Sequence, residues 1–195
     1  MKFKRTTIIK VLSLIIITTL FSFKNTKDIK GWILAGSAPS KYEIGVEENS
    51  ERNGKVGFLK STKTKIKGEF GTIMQSFFPE EYLGKRLKLS AYIKSEDVKD
   101  WAGMWMRVDG EKGKTLSFDN MQTRPIEGST AWKQYQIILD VPKESINLSY
   151  GVLLSGTGKV WMDSFEFEVV TNTSTTTGNE AKKNLKKPTN TSFDN

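Results

Sequence analysis

Gly103-Met-Trp-Met-Arg-Val-Asp109 alternates with a period of two. Met104, Met106 and Val108 fall on one side of an extended chain, and Trp105, Arg107 and Asp109 on the other. Neighbouring segments read the same way. In Arg86–Lys94, Leu87, Leu89, Ala91 and Ile93 share a face opposite Arg86, Lys88, Ser90, Tyr92 and Lys94. In Trp132–Val141, Tyr135, Ile137, Leu139 and Val141 point together. Lys55–Lys60, Phe70–Phe77, Ser149–Leu154 and Val160–Val170 supply further strands. Turn chemistry separates them at Asp109-Gly110, Gly113, Pro125, Gly128, Pro142 and Ser155-Gly-Thr-Gly158. Ser95–Trp101 alone resembles a helical turn. Roughly eight or nine short strands joined by such turns predict an all-β fold, an antiparallel β-sandwich.

The chain has 195 residues with neither cysteine nor histidine. That excludes disulfides, thiol nucleophiles, Ser-His-Asp chemistry and nearly every zinc site, all of which need a thiolate or an imidazole. The net charge of +8 belongs to the ends. Residues 1–27 carry six lysines and arginines and no acid, and residues 171–195 carry four lysines against Glu180 and Asp194. Residues 28–170 hold equal numbers of acids and bases and so offer no cationic footprint for nucleic acid.

Met1–Arg5 is basic, and Thr6–Phe23 is apolar apart from its threonines, serines and Lys10. This is the layout of an export signal. Its uninterrupted part, Val11–Phe23, is 13 residues long, short of the ~20 that span a bilayer. The cleavage region has no small-x-small pair, so residues 1–27 read either as a removable export signal or as a retained N-terminal membrane anchor, and the protein as extracytoplasmic. Membrane contact is expected through this segment only. Residues 28–170 are expected to form the β-sandwich domain, the part that would bind a ligand. Residues 171–195, with Leu185 and Phe193 as their only larger apolar residues, read as a disordered polar tail.

Several blocks carry a resemblance. They are Trp32…Gly36-Ser…Tyr42-Glu, Met74-Gln75, Gly84-Lys-Arg-Leu-Lys-Leu-Ser-Ala, Trp101-Ala-Gly-Met-Trp-Met-Arg-Val-Asp, Phe118-Asp-Asn-Met…Arg124-Pro-Ile…Gly128…Trp132 and Gly151-Val-Leu-Leu-Ser-Gly-Thr-Gly-Lys-Val-Trp-Met-Asp. In that order, over about residues 30–170, they resemble the jelly-roll module appended to the DNA-binding regions of some AraC-type bacterial regulators. That module is itself similar to galactose-binding-like, carbohydrate-binding-module sandwiches. The blocks include no helix-turn-helix, so the resemblance implies a sensor or sugar-binding module and does not carry over DNA binding.

Trp105 and Arg107 lead the candidate ligand-binding residues. An indole face stacks on a pyranose ring and a guanidinium donates to hydroxyls. The alternative is an indole capped by a loop and a guanidinium paired with a neighbouring carboxylate. Asp119 and Asn120 sit at a strand end, where they either read hydroxyls or close an Asx turn on their own backbone. Tyr92 shares a face with charged residues, and Gln75 shares parity with Ile73 and Phe77. Trp161 and Asp163 share parity with Phe165, Phe167 and Val169, a core-like face on which Asp163 is read as structural. Trp32, Trp101 and Trp132 lie beside turns as end plugs or as part of a sugar platform. No cofactor is expected. A structural calcium would need six or more oxygens, and no such cluster is visible.

These features predict an exported, non-catalytic module binding a glycan or another small polar ligand, and no nucleic acid. A surface protein-interaction domain is the second reading, since sandwiches host both. A carboxylate-pair glycosidase survives the lack of histidine, but no two carboxylates stand out.

Overall fold

The computed structural model describes residues 29–171, 173–178 and 190–193. Nine strands follow one another in the chain: β1 (Ile33–Gly36), β2 (Tyr42–Asn49), β3 (Gly54–Ser61), β4 (Phe70–Phe77), β5 (Lys85–Asp109), β6 (Thr115–Asp119), β7 (Ile126–Val141), β8 (Asn147–Ser155) and β9 (Lys159–Val170). All their pairings are antiparallel. The hydrogen-bonded order is β1-β4-β8-β5-β9-β3-β2, with β6 and β7 also on β5. The 25-residue β5 serves both layers. Its second half, Trp101–Asp109, pairs with β8 and β6. Its first half, Lys85–Glu96, pairs with β9 and β7. The result is the expected antiparallel jelly-roll sandwich, with layer one β1-β4-β8-β5-β6 and layer two β2-β3-β9-β5-β7.

The helical turn expected over Ser95–Trp101 is instead a bend inside β5. Asp97 takes a left-handed backbone, φ 57°. β7 supplies the partners a helix would otherwise provide: the Ser129 hydroxyl accepts from Asp97 N at 3.0 Å, and Ser95 Oγ donates to Gly128 O at 3.1 Å. Three register shifts against β7 between Ile93 and Ala102 turn the strand from one layer into the other.

The core fills as the alternation requires. Leu87, Leu89, Ala91 and Ile93 enter from layer two, and Met104, Met106 and Val108 from layer one, all fully buried. Tyr150 stands at the centre of an aromatic cluster, with ring centroids 5.0–5.4 Å from Phe167, Trp32 and Phe165. Its hydroxyl makes no hydrogen bond among the described residues, and burial raises its pKa above that of an ordinary phenol.

Ser164 sits at φ 55° and breaks the parity of β9. Val160 and Met162 point inward before it and Phe165 after it. Trp161 and Asp163 therefore lie on the outer face of layer two, not on the core-like face that unbroken alternation gives them. Asp163 is held there by Arg52 Nε at 2.7 Å.

The proposed leader, residues 1–27, lies outside the described residues. The polar tail contributes residues 173–178 and 190–193 to the description, and both pieces lie against the sandwich. Thr177 N donates to Ile138 O at 2.7 Å, and Asn190 O accepts from Trp32 Nε1 at 3.0 Å. Phe193, 1% exposed, stacks on Trp32 at 5.1 Å. Gly57 makes room for it, because a Cβ there would collide with the Phe193 ring.

Two opposite stability changes follow. Phe193→Ala removes a buried ring and lowers unfolding stability by about 3 kcal/mol. Tyr150→Phe removes a buried hydroxyl without a partner and raises stability by about 1 kcal/mol. Urea midpoints at unchanged slope measure both.

Candidate functional site

The outward side chains of layer one face a pocket of about 370 Å³. That is near the lower end of the roughly 300–1,000 Å³ usual for ligand sites. Its floor follows from strand register. Across the layer, Ile33, Met74, Gly151 and Trp105 lie opposite one another in sequence on β1, β4, β8 and β5. β4 and β8 approach so closely at Gly151 that a Cβ there would collide with the Ile73 carbonyl. With no side chain at that position, the indole of Trp105 reaches across β8 to β4. Its Nε1 donates to Thr72 Oγ1 at 2.8 Å, and that hydroxyl donates in turn to Val152 O at 2.9 Å.

The indole is thereby fixed and 8% exposed, so it forms a wall of the pocket and lies nearer to the covered alternative than to a ring standing free on the surface. Trp101, Phe70, Met74, Leu153 and Phe118 complete an apolar lining. Arg107, paired with Phe118 across β5 and β6, brings the guanidinium. Its side chain is 49% exposed. Asn120, just beyond β6, lines the pocket beside it, with its Oδ1 accepting from Gln122 N at 3.1 Å. Ile33 and Phe70 leave exposed apolar surface on the same face.

Of the six residues singled out in the sequence, Trp105, Arg107 and Asn120 come together in this pocket. The other three do not. Gln75 is buried on the inner face of β4, because it shares the parity of Ile73 and Phe77. Asp119 points away from the pocket. Its Oδ1 accepts from Met121 N at 2.8 Å, closing an Asx turn, and its Oδ2 meets Arg124 at 2.6 Å. Tyr92 belongs to the first half of β5 and faces outward from layer two, where the Arg52 guanidinium covers its ring at 4.1 Å. Phe70, Met74, Leu153 and Phe118 were not anticipated. Parity held the signal for the first two: if Ile73, Gln75 and Phe77 point inward, Phe70, Thr72 and Met74 point outward.

The outer face of layer two also carries aromatic rings, but its own charges occupy them. Phe58, Val56 and Trp161 form a cluster against which Trp132 packs. Lys159 Nζ lies 4.3 Å from the Trp161 ring and 2.8 Å from Glu47. Trp161 Nε1 donates to the same carboxylate at 2.6 Å. Burial works to raise the Glu47 pKa, but the hydrogen bonds from Lys159 and Trp161, with the charges of Lys159 and Lys60, outweigh it and leave it below the ordinary value. Among the described residues no group of three Asp, Glu, His or Cys is placed to hold a metal ion. Nor, among them, is any helix long and apolar enough to cross a membrane.

No family model matches the chain. YbfP of Bacillus subtilis (strain 168), an uncharacterized HTH-type transcriptional regulator, is 47% identical over 170 residues, 86% of this chain and 58% of that protein. The chain thus spans less than two thirds of that relative. Solved structures that share the fold include two xylan-binding domains. The CBM22-1 xylan-binding domain of Paenibacillus barcinonensis Xyn10C superposes with a TM-score of 0.51 at 15% identity, over 72% of this chain and 86% of that one. The CBM22-2 xylan-binding domain of the same enzyme gives 0.52 at 8% identity, over 73% and 94%. In fold, the chain is a jelly-roll sandwich like these carbohydrate-binding modules.

The Glu47 cluster predicts an acid-limb effect. Because its folded pKa lies below 4.5, its contribution is present above pH 4.5 and is lost as pH falls through the folded value. Glu47→Gln therefore flattens the fall in stability below pH 4.5, seen as converging urea midpoints for variant and wild type. The cost at pH 7 stays under about 1 kcal/mol, as is usual for a pair so open to solvent.

Proposed function

We propose that this chain is a non-catalytic carbohydrate-binding or carbohydrate-sensing module, exported by its N-terminal segment. The observation that carries the reading is the pocket on the outer face of layer one. There Trp101, Trp105, Phe70 and Phe118 provide apolar walls, and Arg107 and Asn120 provide donors. Rings of this kind cover the C–H faces of a sugar, and the donors meet its oxygens.

The fold shared with xylan-binding domains supports the same reading by analogy only, since a jelly roll hosts many functions. The relative's name as a transcriptional regulator supports a sensing role. What the whole of that relative does is not transferred, because this chain spans 58% of it. Export rests on the basic and then apolar order of residues 1–27. A non-catalytic role is favoured because among the described residues no Asp or Glu lines the pocket, so a glycosidase's acid and base have no counterpart among them.

A glycan array probed with and without calcium tests the reading. The full chain binds at least one polysaccharide, and Phe70→Ala and Trp105→Ala each weaken that binding by about tenfold or more, a change of about 1.4 kcal/mol. Phe70 is part-exposed, so its variant keeps the wild-type melting temperature. Lys94→Ala, on the outer face of layer two, binds as wild type. A blank array in both conditions refutes carbohydrate binding and favours a protein partner.

A further inference from the structure

Arg107 differs from every other arginine in the described residues. Arg52 meets Asp163 at 2.7 Å, Arg86 meets Asp140 at 2.7 Å and Arg124 meets Asp119 at 2.6 Å. Those three guanidiniums are already clasped by carboxylates. Arg107 has one partner, Asp109 Oδ1, at 3.9 Å, and the approach is through Nε. Its two terminal nitrogens make no hydrogen bond or ion pair among the described residues. Asp109 shares that face, but its carboxylate is buried and its Oδ2 accepts from Asn147 Nδ2 at 3.2 Å, so it reaches only the Nε side of the guanidinium.

The rest of the pocket sharpens the contrast. Among the described residues Arg107 is the only charged one lining it. The Trp105 N–H and the Thr72 hydroxyl are spent on each other and on Val152 O. Asn120 has committed its oxygen to Gln122 N, leaving its amide N–H groups as donors. Neutral sugars present hydroxyls that both give and receive hydrogen bonds, and their donor side needs an acceptor such as a carboxylate. This pocket answers with a guanidinium and an amide as donors, and the Ser155 hydroxyl, which donates to Asp100 Oδ2 at 3.4 Å, is the one further polar side chain on its lining among the described residues. A planar guanidinium with two free ends matches a carboxylate in two parallel hydrogen bonds.

We propose that the pocket takes an acidic saccharide, a pyranose bearing a carboxylate, with the carboxylate on Arg107 and the ring against the aromatic wall. This rests on the carbohydrate-binding reading above and names the class of sugar.

Affinity electrophoresis of the full chain through gels containing pectate, alginate or glucuronoxylan tests it. Each polymer is compared with its carboxyl-reduced counterpart, which keeps the sugar skeleton and loses the charge. The expected result is retardation by at least one acidic polymer, weakened by about tenfold or more on carboxyl reduction. Arg107→Gln abolishes that preference without changing the melting temperature, because the side chain is half-exposed. Arg107→Lys keeps the charge but not the fork, and retains part of the preference.

Equal retardation by a polymer and its reduced form overturns the acidic assignment and leaves the carbohydrate reading standing. Retardation by acidic polymers that persists unchanged in Arg107→Gln also overturns it, because the exposed lysines then account for the effect. Failure of both forms of every polymer, together with a blank glycan array, overturns both.

Discussion

The strict alternation of side chains along one strand governs the molecule. β5 hydrogen-bonds into both layers, so each of its residues commits either to the common interior or to one outer face. Met104, Met106 and Val108 are fully buried, which obliges Trp105 and Arg107 to occupy the opposite side. A slip of one residue would place a guanidinium in the core, where an unpaired charge costs several kcal/mol. Interior packing therefore sets the register, and the pocket is its by-product. Its remaining walls come from strands whose own register is fixed in the same way.

Where alternation is interrupted, the interruption is local and has an identifiable cause. At Asp97 the chain enters the left-handed region, and β5 passes from one layer to the other. At Ser164 a second such residue reverses which side of β9 is buried. The effect on chemistry is direct. Asp163 leaves the interior and meets Arg52, and Trp161 leaves it and meets Glu47 and Lys159. The outer face of layer two thus carries as many rings as that of layer one but saturates them with its own ion pairs. The outer face of layer one keeps its guanidinium open.

Most of the architecture was legible in the sequence because buried strands of a sandwich imprint a period of two. Leu87 to Ile93, Met104 to Val108 and Ile137 to Val141 carry it plainly. The bend at Asp97 and the bulge at Ser164 were not legible, since a single positive φ at an ordinary Asp or Ser leaves no compositional mark. The same loss of information explains the site. Trp105, Arg107 and Asn120 could be placed on one surface by parity within their own segments. Tyr92 could not be separated from them, because nothing in the sequence says that β5 changes layers between residues 94 and 101. The spent state of the Trp105 N–H was hidden too, as it depends on Thr72, 33 residues away in the chain. The burial of Phe193 escaped for a similar reason. A lone ring in a threonine-rich segment reads as solvent-exposed until Gly57 and Trp32 are seen to form its socket.

The distribution of the five tryptophans has a practical side. Trp101 and Trp105 border the cavity, Trp32 is locked in the interior, and Trp132 and Trp161 belong to the far surface. Any molecule entering the cavity displaces solvent from two of these natural fluorophores and leaves the environment of the other three unaltered. The protein thus carries its own optical reporter of occupancy, with an internal reference built from the three remote indoles.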